Sequence, residues 1–405
     1  MTPYRNFVRP WFKTDYLIIN FSLFITVSLI GLITFNLTIF DPIKKALSDF
    51  NFSDLLYSKL NTSQDALDTS IVLVNIGHLD RAKIAEQIQI IRKHRPRVIG
   101  FDGFFSNRRD SAMDVMLKEQ LNRNDLVMAG YLAGKNEMDG KFEKIETSDP
   151  WFGCRTAGFV NLGGSNPETS TVRYFSPGEK FGDRTLEAWA VEIAKKYNPK
   201  AVNKLKERNN KREVINYLGN KNAFVCLEAN EISDTLADLK ILKDKIVLMG
   251  YMGESFGAPV NLEDIYYTPM NRALAGRSLP DMHGVVIHAN IIHMILKQTY
   301  INSMPVWLSI VLAFILCYFY IVFITWFNTR YPLQFNIVFP VFLLLLNVAI
   351  VYIFFLLYKH CNYSINSVYF LAPIILYKTF LTYYERGLLI ISRYVTIHSM
   401  FLHKK

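Results

Sequence analysis

The chain has 405 residues, 51% of them apolar and 20% charged, with a formal net charge of +10. Its length allows two or three soluble domains, but that apolar share is high for a soluble globular protein. The positive charge clusters beside long apolar runs, where membrane orientation and anionic lipid account for it. Nucleic-acid binding is therefore not expected.

Residues 16–40 (YLIINFSLFITVSLIGLITFNLTIF) carry no charge and exceed the roughly 20 residues needed to cross a bilayer. Arg5, Arg9 and Lys13 precede this run, which predicts a cytoplasmic N-terminus (residues 1–15) by the positive-inside rule. No small-x-small cleavage site follows, so the segment is read as an anchor and not a removed signal peptide. Three further runs follow at 305–327, 335–358 and 364–384, the last interrupted by Pro373 and containing Lys378. Four crossings return the chain to the cytoplasmic side, where Arg386, Arg393, Lys404 and Lys405 lie. The short 328–334 loop with Arg330 falls on that side too. Residues 41–304 are then extracytoplasmic. The localisation expected is a membrane with both termini on the cytoplasmic side, with membrane lipid as the first partner.

Within 41–304, residues 71–76 form a continuous apolar, β-branched run, as in a strand buried on both faces. Asp80 is placed to cap a helix with Ile84, Ile88 and Ile91 on one face, ended by Pro96. Residues 97–101 read as a second strand, and the strand–helix–strand unit implies a parallel pair. Residues 126–132 and 245–250 read as further buried strands. Residues 185–197 read as an amphipathic helix with Leu186, Trp189, Ala190 and Ile193 on one side. The segment 198–222, with the basic run KLKERNNKR at 204–212, reads as a surface excursion. The fold class expected is an α/β extracytoplasmic domain with a mostly parallel sheet, plus an α-helical membrane domain of one N-terminal and three C-terminal helices.

Ligands of such sheets bind at the carboxyl edge of the strands. Gly77, His78, Asp102, Gly250, Gly253, Glu254 and Ser255 mark that edge, so they are the candidate ligand-binding residues. Asp102 is equally well read as the cap of the turn after its strand. The GYMGES stretch at 250–255 lacks the spacing of a phosphate loop.

Residues 279–296 (LPDMHGVVIHANIIHMIL) hold three of the eight histidines, His283, His288 and His293. Steps of five turn a helical side chain by about 140° and flip the face of a strand, so the three do not converge from one regular element. A hydrogen-bonded core role is the better reading, and no metal or cofactor is expected. Residues 285–296 are read as a helix that joins the outer domain to the next span through the 297–304 connector. His288, Asn290, Ile291 and Met294 are its candidate coupling residues. Of four cysteines, Cys154 and Cys226 lie in the outer domain and are the candidate disulfide.

In order along the chain stand IVLVNI at 71–76, PRVIGFDGFFS at 96–106, Asp110 and Asp114. There follow GFVNL at 158–162, LEAWAVEIAKKY at 186–197, LKDKIVLMG at 242–250, Asp264 with Tyr267, Thr268 and Pro269, and HGVVIHAN at 283–290. This series resembles the CHASE2 family of bacterial extracytoplasmic sensory domains over roughly residues 45–300. The family often carries acidic residues after the first strand and then a Trp-Pro-Arg segment. Here Gly77 and His78 and a shorter path stand in their place. Members of the family usually continue into a cytoplasmic kinase or cyclase. Here about 20 residues (385–405) follow the last span, with a polar stripe of Ser392, Thr396, Ser399 and His403 on an otherwise apolar, helix-like tail.

No kinase signature, phosphate loop or G-x-S-x-G occurs, so the expectation is a non-enzyme. The resemblance implies a sensor without its own output domain in a bacterial inner membrane, acting through a separate protein; homo-oligomerisation is compatible with this. The alternative is a structural or scaffold subunit of a multi-protein envelope complex.

Overall fold

The computed structural model describes residues 14–36, 67–109, 111–136, 138–162, 171–234, 238–254, 263–271, 279–396 and 399. Two units are present, residues 49–301 and residues 1–48 with 302–405. In chain order the elements begin with α1 (Thr14–Asn36), β1 (Asp68–Asn75), α2 (Arg81–Lys93), β2 (Val98–Phe101), α3 (Ser111–Leu121) and β3 (Leu126–Lys135). Next come β4 (Phe142–Glu146), β5 (Ala157–Phe159), β6 (Tyr174–Phe175), β7 (Gly178–Phe181), β8 (Arg184–Glu187), α4 (Trp189–Tyr197) and α5 (Pro199–Arg208). The outer unit ends with β9 (Glu213–Val214), β10 (Phe224–Glu228), α6 (Ala229–Ser233), β11 (Ile246–Gly250), β12 (Ile265–Tyr266), β13 (Met282–His283) and α7 (Gly284–Lys297). The other unit holds β14 (Asn302–Ser303), α8 (Val306–Arg330), α9 (Pro332–Cys361), β15 (Tyr363–Ser364) and α10 (Val368–Ile391), together with α1.

The outer unit is built on a mixed, mostly parallel sheet in the order β10-β1-β11-β2-β3-β4-β7-β8, with β5 also paired to β3. Residues of β1, β2 and β11 alternate between two covered faces, which is why their sequences are apolar throughout. Val72, Val74, Ile99, Phe101, Val247 and Met249 pack with Ile84, Ile88 and Ile91 of α2 and with Leu117 and Leu121 of α3. On the other face Gly100 has no room for a side chain, because Ile193, Trp189 and Leu248 close over it. The Trp189 indole N–H donates to the Val127 carbonyl at 3.1 Å.

Several expectations change. β1 and β2 are parallel members of one sheet but not neighbours, since β11 lies between them. Residues 184–187 are not helical: they turn back on β7 through Gly182 at φ +55°, and the helix starts only at Trp189. The segment 198–222 is more than a surface excursion. Asn198 caps α5, Pro199 occupies its first turn, and Ala201, Val202 and Leu205 are buried within a lysine-rich run.

Cys154 and Cys226 are free thiols, not a disulfide. Cys226 lies on edge strand β10, paired in register with Leu73 and facing away from the layer that Val225 and Leu227 join. Cys154 packs into that layer beside Trp151 and Phe152. With β1, β11 and β2 between them, the thiols are separated by on the order of 15 Å, against the roughly 7 Å limit for bridged Cα atoms.

In the second unit, α1, α8 and α9 are long and apolar enough to cross a membrane. Helix α10 forms over 24 residues but is not among them, and it continues through Glu385 and Arg386 to Ile391. Residues 392–396 are turn and coil, so the polar stripe from Ser392 does not lie on a helix; His403 is outside the described residues. Ile19 and Leu23 of α1, Cys317 and Ile321 of α8 and Ile374 of α10 form one buried cluster. Asn20 donates to the Phe314 carbonyl at 2.9 Å, and the hydroxyls of Thr325 and Tyr377 bond at 3.1 Å. β14 and β15 pair in parallel, which brings the entry to α8 beside the α9–α10 turn.

Candidate functional site

The carboxyl ends of β1, β11 and β10 are tied together by one side chain, Asn75, which is 1% exposed. Its Oδ1 accepts from the backbone N–H of Gly77 at 3.1 Å and of Met252 at 2.9 Å. Its Nδ2 donates to Glu228 Oε2 at 2.9 Å and to the Gly253 carbonyl at 3.1 Å. Gly77 (φ +46°) and Gly253 (φ +95°) turn the chain in the left-handed region beside it, a conformation open to glycine without strain.

Next to this edge stands a partly buried acidic group. Asp102 leaves β2 with its N–H on the Met249 carbonyl at 2.8 Å. Asp264 enters β12 in a left-handed conformation (φ +50°), and its carbonyl accepts from the Gly284 N–H at 3.2 Å. Two-residue pairing of β12 with β13 sets Tyr266 opposite Met282 and brings Asp264 onto the first turn of α7. Burial, with the charge of Asp264 added, pushes the Asp102 carboxyl well above the usual range. Burial likewise raises Asp264 to about 6, with Glu263 adding to the shift and the Tyr266 hydroxyl opposing it. The Tyr266 hydroxyl is pushed up in turn by burial, Asp264 and Asp102. Two carboxyls and a phenol that act on one another electrostatically each have the charged form disfavoured, so the group resists carrying full negative charge.

Aromatic rings extend the wall outward. The Tyr251 ring lies 5.0 Å from His78 and 6.0 Å from His283. His78 Nε2 approaches Glu263 at 3.9 Å, but both side chains are more than half exposed, and such a pair contributes little. Burial lowers the His283 pKa, while a bond to the Asp264 backbone opposes the shift.

Of the residues expected at the edge, Gly77, His78, Asp102, Gly250, Gly253 and Glu254 do gather there. A Cβ on Gly77 would lie 3.5 Å from the Glu254 carbonyl, and one on Gly250 would lie 3.2 Å from Asp102 Cβ. Ser255 falls outside the described residues. Sequence reasoning did not assign Asn75, Tyr266, Asp264 or His283 to this edge. Asn75 carried a usable signal, an amide closing an otherwise apolar strand. Asp264 and Tyr266 had none beyond their place near Thr268.

The three histidines occupy three environments. His283 joins the edge. His288 is 4% exposed against the Trp189 ring, 5.2 Å away, and burial lowers its pKa to about 4. His293 Nδ1 lies 2.6 Å from Asp68 Oδ2. Asn290, fully buried in α7, accepts from the N–H groups of Leu218 and Gly219 and donates to the carbonyls of Gly219 and Val286. Ile291 is buried beside it, and Met294 Sδ accepts from the Asn216 N–H at 3.3 Å. All four coupling-helix residues therefore anchor α7 inside the outer unit.

No curated protein and no solved structure matches the chain. The CHASE2 domain family model matches residues 26–324, well over half of its length. CHASE2 is a family of extracytoplasmic sensory domains. The match, together with three helices able to span a bilayer, makes this a membrane protein with an extracytoplasmic sensory-type domain. The order of motifs, the α/β sheet and the flanking apolar helices thus agree with the family match: the chain belongs to the CHASE2 domain family.

Proposed function

We propose that the outer unit binds a ligand at the Asp102–Asp264–Tyr266 edge and that α7 carries the change into the membrane helices, with output delivered by a separate protein. The observation that supports this is the contact of the acidic group with the first turn of α7. A Cβ on Gly284 would lie 3.0 Å from Asp264 Oδ1, and one on Gly250 would lie 2.8 Å from Val285 Cβ. The chain then passes from α7 through a short connector into α8. A ligand changes this arrangement only by binding two states with different affinity. A group that resists full negative charge and holds hydrogen-bonding atoms can supply that difference when a ligand donates to it or displaces its proton.

In this reading the protein has no catalytic step of its own. It sits in a bacterial inner membrane with both termini in the cytoplasm and α10 as the fourth crossing. The basic residues before α1 and after α10 support that orientation. The pairing of β14 with β15 is compatible with two antiparallel crossings by α8 and α9, since it joins the segment before α8 to the segment after α9.

The test is purification of the tagged full-length protein in a mild detergent, with co-purifying proteins identified by mass spectrometry. A kinase, cyclase or other regulator at near-equal amounts supports the sensing reading. Envelope or secretion-machinery proteins in its place would sink it and favour a scaffold subunit.

A further inference from the structure

A second site stands apart from the strand edge and owes nothing to the reading above. A solvent-open groove of about 880 Å³ runs between the β3–β4 and β7–β8 hairpins and the carboxyl end of α5. Its volume lies in the range of small-molecule sites. Val191, Val202 and Leu205 form an apolar floor, each no more than 4% exposed.

The charges around the groove do not cancel. Glu187 is held by Lys195 at 2.8 Å and Lys206 at 3.1 Å, and these two lysines draw its carboxyl pKa down against the effect of burial. Glu179 faces Lys135 at 3.8 Å, and Asp139 faces Lys141 at 3.9 Å. Each acidic residue of the lining thus has its cation. Lys180, Lys211 and Arg212 also line the groove, all exposed, with no acidic partner among the described residues. The carboxyl end of α5 adds about half an elementary negative charge, well short of three positive ones. No aromatic residue lines the groove among the described residues. A nucleobase would therefore find no ring to stack on, whereas Val and Leu suit the aliphatic face of a sugar. Ser176, Asn209 and Asn210 supply hydrogen-bonding partners for hydroxyls.

We propose that this groove binds a phosphate-bearing sugar, with Lys180, Lys211 and Arg212 on the phosphate and Val202 and Leu205 beneath the ring. The test uses full-length protein in nanodiscs of zwitterionic phosphatidylcholine, titrated calorimetrically with N-acetylglucosamine 1-phosphate. Uncharged N-acetylglucosamine and inorganic phosphate are titrated in parallel. The expected result is saturable binding of the phosphosugar, weakened at least about tenfold for the uncharged sugar. The combined Lys180→Glu, Lys211→Glu and Arg212→Glu variant should weaken it by a similar factor or more. These side chains are exposed, so the variant should keep the wild-type melting temperature. Absence of saturable binding, or binding indifferent to the triple reversal, would overturn the proposal. Equal affinity for inorganic phosphate would also overturn it, by removing the role given to the apolar floor.

Discussion

Gly250, the last residue of β11, meets Val285 in the first turn of α7 with no space for a side chain between them. A Cβ at position 250 would stand 2.8 Å from Val285 Cβ and 2.9 Å from its Cγ2, with Asp102 Cβ at 3.2 Å on another side. None of these atoms is the free end of a flexible chain. At this point the strand edge and the coupling helix touch through close packing, and one methyl group should force them apart.

Gly250→Ala is accordingly expected to destabilise the outer unit by about 1–3 kcal/mol, the usual cost of overpacking. Thermal melting of the full-length protein and amide exchange across residues 284–297 should both respond. An alanine variant with wild-type melting and exchange would show that the contact yields freely and transmits nothing.

Asn75 is the organiser of the edge, and Asn75→Ala should cost on the order of 2–4 kcal/mol. The loss leaves the Gly77 and Met252 N–H groups and the Gly253 carbonyl without their partner. Asn75→Asp keeps both acceptor functions but sets a second carboxylate against Glu228. It should recover less than half of the loss. Urea denaturation midpoints of the three proteins decide this, and full recovery by aspartate would make the donor side of the amide irrelevant.

The pH dependence has two opposed parts. Asp264 and Asp281 are each raised to about 6, chiefly by burial. The folded state therefore holds protons that the unfolded chain releases, and stability falls as pH rises from about 4 to 6. His288 is lowered by burial to about 4. Its contribution is complete above about 6.5 and is lost as pH falls from there towards 4. These are terms on the order of 3 kcal/mol each. Between pH 6.5 and 4.5, His288→Gln should gain more stability on acidification than wild type, and Asp264→Asn should gain less. Identical pH profiles of melting temperature for the three proteins would remove both assignments.

At the other end of α7, His293 holds Asp68 at the start of β1. Burial alone would raise the Asp68 carboxyl, but bonds from His293 and Ser70 overcome it and hold the pKa at about 2. The stability this gives is present above about pH 4 and lost as pH falls through 2. His293→Ala should therefore cost about 2 kcal/mol at neutral pH. Its destabilisation relative to wild type should shrink below pH 3, which denaturation at pH 7 and pH 2.5 would read directly.

Much of this molecule is written locally. The apolar runs of β1, β2 and β11 announce strands covered on both faces, and the uncharged stretches of α1, α8 and α9 announce helices for a bilayer. Each is a statement about solvent, and a side chain's preference for water is a property of its own residue and near neighbours. The edge glycines and Asp102 were legible for the same reason, since residues that end a buried strand mark its carboxyl end. Partnership is a different quantity. That β11 inserts between β1 and β2, and that Arg184–Glu187 pairs as a strand before α4 begins, depends on hydrogen bonds between segments remote in sequence. So does the meeting of Asp102 with Asp264, and the placing of Cys154 and Cys226 on opposite faces of the sheet. Periodicity tells a residue whether to be buried; only the assembled sheet decides beside what.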